Sequence, residues 1–227
     1  GLLTANKGAA VKTITEDFAR IGYKVSVDLY NFADYGVPQI RQRIFIVGVR
    51  NDVNWEFTKP EPTHAKEKYV SAGKALVGVK KVKLNNEHQN IAEKTKKMLN
   101  MIPEGGNFSD IPKNHPLYVK GMISHVYRRL HRGKPSTTII AGGGGGTWGY
   151  HFEEPRPLTN RERARLFCYP DDFAFVGSIT EVRKQIGNSV PPLAARILAE
   201  ALLPAFKASS IIRRKTAVST DKNLKSL

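Results

Sequence analysis

Three short patterns carry side chains whose types and spacing could do chemistry. The first is Gln39-x-Arg41-x-Arg43, within "GVPQIRQRIFIVGVR". Side chains two apart in an extended chain share a face, so all three could point into one cleft. There the rigid arginine fork suits a phosphate or a base edge. A solvated strand end with its arginines paired to acids fits the same spacing equally well. The second pattern is Asn188-Ser189, set just before an expected helix start. Backbone N–H groups and two polar side chains there could receive a carboxylate or phosphate, or could serve as a plain N-cap. The third is the run Gly142 to Gly146, followed by Thr147 and Trp148. No Lys-Ser/Thr pair follows the glycines, so a phosphate-cradling P-loop is excluded. What remains is close backbone approach to a ligand, or a flexible surface loop.

Two other residue types are set aside on chemistry. Cys168 is the chain's single cysteine, placed late in a helix beside aromatic residues with no histidine near it in sequence. It reads as a packed core thiol rather than a nucleophile. The six histidines fall in no HExxH or Cys/His pattern, so no metal site is expected.

The elements that must position these residues follow from periodicity. Val11, Ile14, Phe18 and Ile21 recur at helical spacing, with Gly22 as the C-cap. "YKVSVDLY" then alternates, with Tyr23, Val25, Val27 and Leu29 on one face, which predicts a half-buried strand. "IFIVGV", Ile44 to Val49, is apolar on both faces and predicts a buried one. The connection between them is too short for a parallel crossover, so the pair is expected to be antiparallel. From residue 51 to 155 periodicity weakens, with one amphipathic helix expected to end before Pro103. Thr159 and Glu162 then have the spacing of a capping box. A short helix, a break at Gly187–Ser189 and a long helix led by Pro191 and Pro192 close the pattern. The expected organisation is 1–50, an irregular basic domain over 51–155, a return over 156–206, and a flexible basic tail over 207–227.

Composition narrows the partners. The 227 residues carry a net charge of +16, and a polyanion, nucleic acid first, is the natural reading. Residues 51–155 contribute +6 and residues 207–227 contribute +5. No apolar run in the sequence approaches the roughly 18 residues of a membrane span, and no secretory leader is expected. A single cysteine leaves no internal disulfide and points to the cytoplasm.

The order of the segments carries a resemblance. "NFADYGVPQIRQRIFIVGVR", an irregular basic insert, "RPLTNRERARLFCYPDDF" and "QIGNSVPPLAARILAEAL" resemble the last three conserved blocks of the DNA cytosine-C5 methyltransferase family. The family's variable target-recognition region lies between the first and second of these, and "PSTTIIAGGGGGTWGYH" is similar to its end. The resemblance spans residues 1–203. It implies an α/β fold, namely the C-terminal part of a class I, Rossmann-like, AdoMet-dependent catalytic domain, with a small irregular target-recognition domain.

The resemblance also implies roles. Arg43 would reach the target cytosine from its O2 side, Arg41 would hold the DNA backbone beside it, and Gln39 completes that block. Asn188 and Ser189 would line the methionine end of S-adenosylmethionine. Thr138 would brace the backbone at the flipped nucleotide, with Thr147 and Trp148 also on the DNA side, while Glu162, Arg163 and Arg165 would be structural. The family's reaction is attack of a cysteine thiolate on C6 of an extruded cytosine and methylation at C5, and flipping is needed because those atoms are inaccessible in the stack. Three family features are missing here: the Gly-rich AdoMet loop, the Pro-Cys nucleophile loop and the Glu-Asn-Val block. The family carries that block immediately before a segment like this chain's opening "GLLTANKG". The expectation is therefore a C-terminal piece, inactive until an N-terminal half is supplied, acting on duplex DNA in a bacterial or phage restriction–modification setting. Position 168 departs from the family, which usually has glycine there. Two rivals are a non-catalytic DNA-binding module, which predicts strong salt dependence without sequence preference, and an RNA methyltransferase of the same superfamily.

Overall fold

The computed structural model describes residues 8–118, 120–121, 126–142 and 149–223, with side chains as far as residue 207. In chain order the elements are helix α1 (Ala9–Arg20), strands β1 (Tyr23–Asn31) and β2 (Gln42–Arg50), short helix α2 (Ala72–Ala75), and helices α3 (Glu93–Met101), α4 (Asn160–Leu166), α5 (Ile179–Asn188) and α6 (Pro192–Asn223). The chain divides into two compact units that interleave in sequence. One comprises Gly1–Tyr30, Gln42–Glu61 and Arg196–Leu227, and the other Asn31–Arg41 and Pro62–Ala195. One of the boundaries therefore runs between Arg41 and Gln42, and the irregular segment packs in one unit with most of the sequence that follows it.

In the first unit the two strands form a two-stranded sheet. Asn51 N donates to Gly22 O at 2.9 Å at one end, and in the connection Phe32 N donates to Arg41 O at 3.1 Å. The start of β1 thus meets the end of β2, which makes the pair antiparallel, as the short connection requires. Helix α1 lays Phe18 edge-on to Tyr23, with ring centroids 5.8 Å apart. A β-carbon on Gly48 would lie 3.2 Å from each of those rings, so glycine admits the close helix–sheet approach.

The strands depart from their predicted burial. Leu29 is exposed, and its neighbour Tyr30 is buried instead, edge-on to Phe45 and beneath the Lys59 ammonium. Ile44 to Val47 are half-buried rather than buried. Among the described residues no third strand flanks the pair, and a two-stranded ribbon cannot cover both of its faces. Helix α6 continues to Asn223, so the segment expected to be a tail from residue 207 is helical. Residues 207–223 contain no glycine or proline to stop it. Ile179–Lys207 is long and apolar enough by composition to cross a membrane. It is two helices, however, broken between Asn188 and Pro192, and the first of them buries Arg183.

The second unit holds the larger core, in which Leu130, Ile139, Leu158, Leu166, Phe167, Val182 and Ile186 pack together. A smaller cluster of Met98, Leu99, Ile102, Phe108, Ile111 and Tyr150 lies around α3, which stops before Pro103 as predicted. With little regular structure between residues 62 and 155, side chains bind the main chain in its place. Arg129 donates to the carbonyls of Leu99, Ile102, His151 and Phe152 at 2.7 to 3.1 Å. Helix α4 opens on the expected capping box, with both Thr159 and Glu162 engaged, and α5 opens on a second from Ser178 and Glu181.

Candidate nucleic-acid and cofactor interface

The first pattern is set up by a sharp turn. After a 3-10 turn over Phe32–Tyr35, Gly36 takes φ +87°, where a β-carbon would also stand 2.9 Å from the His64 ring. The chain bends again at Pro38, where Gln39 N donates to Val37 O at 2.7 Å. Val37, Pro38, Gln39 and Arg41 are buried and Ile40 is exposed, so the alternation expected of this stretch holds only from Gln39 to Arg41.

Gln39 is fully buried. Its Oε1 accepts from Ile139 N at 3.1 Å and its Nε2 donates to Leu166 O at 3.3 Å. A parallel bridge joins Gln39 to Ser136, with Ile40 N donating to Ser136 O at 2.8 Å and Ser136 N to Pro38 O at 2.9 Å. Thr138 Oγ1 donates to Ile40 O at 2.8 Å. Ser136 to Ile139 is thus zipped along Pro38 to Arg41. Thr137 and Thr138 are exposed along it and Ile139 is buried, with Ile140 exposed just beyond.

Arg41 is only 3% exposed. Its Nη1 donates to Ile139 O at 3.0 Å, and its Nη2 donates to Gly187 O at 2.9 Å and to Ser189 O at 3.4 Å. The guanidinium carbon lies 4.9 Å from the centroid of the Phe167 ring, within cation–π range. The three residues of the pattern therefore do not share one environment. Gln39 and Arg41 face the interior of the second unit on main-chain partners. Arg43 lies on β2 in the first unit and is exposed, and its Nη1 donates to Gln42 O at 2.7 Å. Among the described residues no carboxylate pairs with Arg43.

The second pattern stands differently from its prediction. Asn188 is the last residue of α5 and Ser189 its C-cap, whose hydroxyl donates to Ile186 O at 2.8 Å. Helix α6 begins three residues beyond Ser189, on Pro192, and neither Pro191 nor Pro192 has an N–H to offer an anion. What the stretch exposes is the Asn188 amide, with Ser189 half-buried. Gly187 was legible only as a helix break, yet among the described glycines it has the least room for a side chain. A β-carbon there would stand 2.4 Å from Ala141 N and 2.7 Å from Ile140 C. Thr147 and Trp148 lie outside the described residues.

A charged frame supports α4. Arg156 reaches Glu162 with two nitrogens at 2.9 and 2.8 Å, and Glu162 also accepts from Thr159 N at 2.8 Å. Burial is the largest influence on the Glu162 carboxylate and works against it, but the Arg156 hydrogen bonds and charge, with the Thr159 N–H and the nearby His151, together hold its pKa below the usual range. Arg161 is satisfied by the carbonyls of Leu84, Pro170 and Phe173. Burial pushes the Arg163 guanidinium down to about 9. Arg165 reaches Asp171 with two nitrogens, at 2.8 and 2.6 Å.

Cys168 ends that helix in the left-handed region, at φ +61°. Tyr169 N donates to Ala164 O and Cys168 N to Arg165 O, both at 2.9 Å, which is the Schellman pattern that usually carries glycine at this position. Cys168 is half-buried rather than a fully packed core residue; burial still pushes its thiol up to about 11, so it is protonated at neutral pH.

The family model of the C-5 cytosine-specific DNA methylases matches residues 1–203. The chain belongs to that family. Among curated relatives of this methylase chain, the Type II methyltransferase M.NgoFVII of Neisseria gonorrhoeae is 60% identical over 212 residues, covering 91% of this chain and 57% of the relative. The Type II methyltransferase M.BbvI of Brevibacillus brevis is 50% identical over 212 residues, covering 91% and 56%. The chain therefore spans a little over half the length of these relatives. In fold it is similar to a prophage-encoded DNA modification methyltransferase of E. coli, with a TM-score of 0.60 at 22% identity over 90% of this chain and 67% of that one. An Entamoeba histolytica methyltransferase gives a TM-score of 0.53 at 14% identity, over 88% of this chain and 60% of that one.

Proposed function

We propose that this methylase chain supplies DNA recognition, base holding and one edge of the AdoMet site in a cytosine-C5 methyltransferase of a restriction–modification system. The observation that carries the reading is the contrast between its arginines. Arg41 is buried on protein carbonyls, while Arg43, two residues on, is exposed with no carboxylate partner among the described residues. An exposed arginine fork on a strand suits an extruded cytosine, donating at the O2 side and favouring the charge that develops on the ring. Thr137 and Thr138, on the segment fixed to Pro38–Arg41, present hydroxyl-bearing side chains for the DNA backbone.

AdoMet, when bound, supplies the methyl group. The residues present fit its polar end in part, because the exposed Asn188 amide can both donate and accept, as an amino-acid group requires. The Ser189 hydroxyl donates within its own helix end but keeps lone pairs to accept from an amino group, so Asn188 and Ser189 together would hold that end. The nucleophile lies outside this chain. Its one cysteine closes a helix with a thiol raised to about 11, and it spans only a little over half the length of the relatives it matches. The missing half is a segment of the same polypeptide or a separate subunit, and the site of action is the DNA of a bacterial or phage-infected cytoplasm.

Transfer of labelled methyl groups to duplex DNA and to tRNA, offered in competition, tests the substrate class. The chain combined with an N-terminal half should label DNA. Labelling of tRNA in preference would overturn the assignment and favour an RNA-directed enzyme of the same superfamily.

A further inference from the structure

The geometry points to Arg41 as a positioning residue, not a DNA-backbone ligand. It holds the recognition segment Ser136–Ala141 and the cofactor-side loop Gly187–Ser189 in one fixed arrangement, so that binding at one is felt at the other. The inference rests on the functional reading above, in which the first segment faces DNA and the second faces the cofactor.

Three observations carry it. The first is that the Arg41 guanidinium bridges the two segments directly, to Ile139 O on one side and to Gly187 O and Ser189 O on the other, at 2.9 to 3.4 Å. An arginine fork committed to three carbonyls and lying over an aromatic ring has its donors turned away from solvent, and at 3% exposure it presents little surface to a phosphate. The second is that the segments also touch without it, because Gly187 abuts the backbone of Ile140 and Ala141 so closely that no side chain fits between. The third is that the recognition segment has little freedom to move independently. Gln39 holds Ile139 N, and Ser136 and Thr138 are bonded to the chain on either side of Gln39. A displacement of the Gly187–Ser189 loop is therefore passed to Ile139 through one side chain and one backbone contact, a short physical route between two sites. A DNA contact here would instead require the guanidinium to leave three acceptors, two of them at the end of a buried helix turn.

One binding experiment separates the alternatives. Duplex DNA is titrated with the enzyme reconstituted from this chain and an N-terminal half, across a salt series, with and without saturating S-adenosylhomocysteine. Wild type is compared with Arg41→Lys and Arg41→Met. As a positioning residue, Arg41 predicts a salt slope unchanged in both variants. It also predicts that the tightening of DNA binding caused by S-adenosylhomocysteine shrinks by about fivefold or more. A role confined to local stability would weaken binding equally with and without the cofactor analogue, and that result overturns the proposal. So does a slope lower by about 1, the signature of one lost phosphate contact. Wild-type DNA binding that ignores S-adenosylhomocysteine also overturns it, while leaving the functional reading intact. Failure of the wild type to bind duplex DNA at all sinks that reading itself. Should Arg41→Met fail to fold, Arg41→Lys and Gly187→Ala carry the same comparison.

Discussion

Ala141 N lies 2.4 Å from the point where a β-carbon on Gly187 would stand. Gly187 has no positive φ to justify it. The contact is a matter of space, since the backbone of Ile140–Ala141 rests on backbone at the end of α5. Gly187→Ala must therefore displace one of two backbones. The expected cost is about 1–3 kcal/mol of stability, as for overpacking, with methyl transfer reduced about tenfold or more by the shift of Ile139–Ala141. Thermal unfolding and single-turnover transfer measure the two effects separately. A variant with unchanged melting and full activity would show that the two segments are not in contact.

The pair Arg156–Glu162 is the second point of stress. Its side chains are 11% and 2% exposed, so removing the cation strands a buried carboxylate. Arg156→Met is expected to destabilise by about 3–5 kcal/mol. Arg156→Met combined with Glu162→Gln should recover part of that loss, because no charge is then left alone. Urea unfolding midpoints of the three proteins test the order.

Stability should fall with acid in two stages. Burial holds His151 below the usual imidazole range, so the unfolded chain takes up that proton more readily than the folded one. This contribution is complete above about pH 6.5 and declines as pH drops below it. Glu154 is lowered to about 2, chiefly by its hydrogen bond from Arg156, and Glu162 is lowered as well. Their contribution is present above about pH 4.5 and is lost as pH falls toward about 2. His151 Nδ1 accepts from Glu153 N and Glu154 N, and an asparagine oxygen can take over that role. His151→Asn should thus abolish the first stage and keep the second, as read from urea midpoints across pH 8 to 3.

Replacing Cys168 by glycine should stabilise the chain. A non-glycine residue at φ +61° costs about 1 kcal/mol, and the Schellman bonds around it run through main-chain atoms that glycine retains. A melting temperature raised in Cys168→Gly, with undiminished methyl transfer, is the expected outcome. Loss of transfer would restore the thiol as a candidate nucleophile.

Much of this was legible from residue types. The capping box at Thr159 and Glu162, the stop before Pro103 and the antiparallel pair each depend on neighbours within a few positions, whereas the burial of Gln39 and Arg41 apart from Arg43 was not foreseen. What the side chains bond to was not legible. The Arg41 acceptors stand 98 to 148 residues away in sequence, and no local rule links "QIRQR" to "TTIIA" or "IGNS". Hydropathy places arginines on the surface, yet Arg161 and Arg163 are fully buried, and Arg161 is held by carbonyls that only the folded loops provide. The Asn188–Ser189 stretch shows the same limit. The helix start was read correctly from Pro191–Pro192, but those prolines take two N–H groups out of the first turn, so an anion there would rely more on the Asn188 and Ser189 side chains.

The most direct test of the account is methyl transfer from labelled AdoMet to duplex DNA, measured for this chain alone and with an N-terminal half added in trans. The account predicts transfer only in the mixture, reduced about 100-fold or more by Arg43→Ala and untouched by Cys168→Ala. Transfer by the chain alone, or loss of transfer in Cys168→Ala with Arg43→Ala still active, would contradict it.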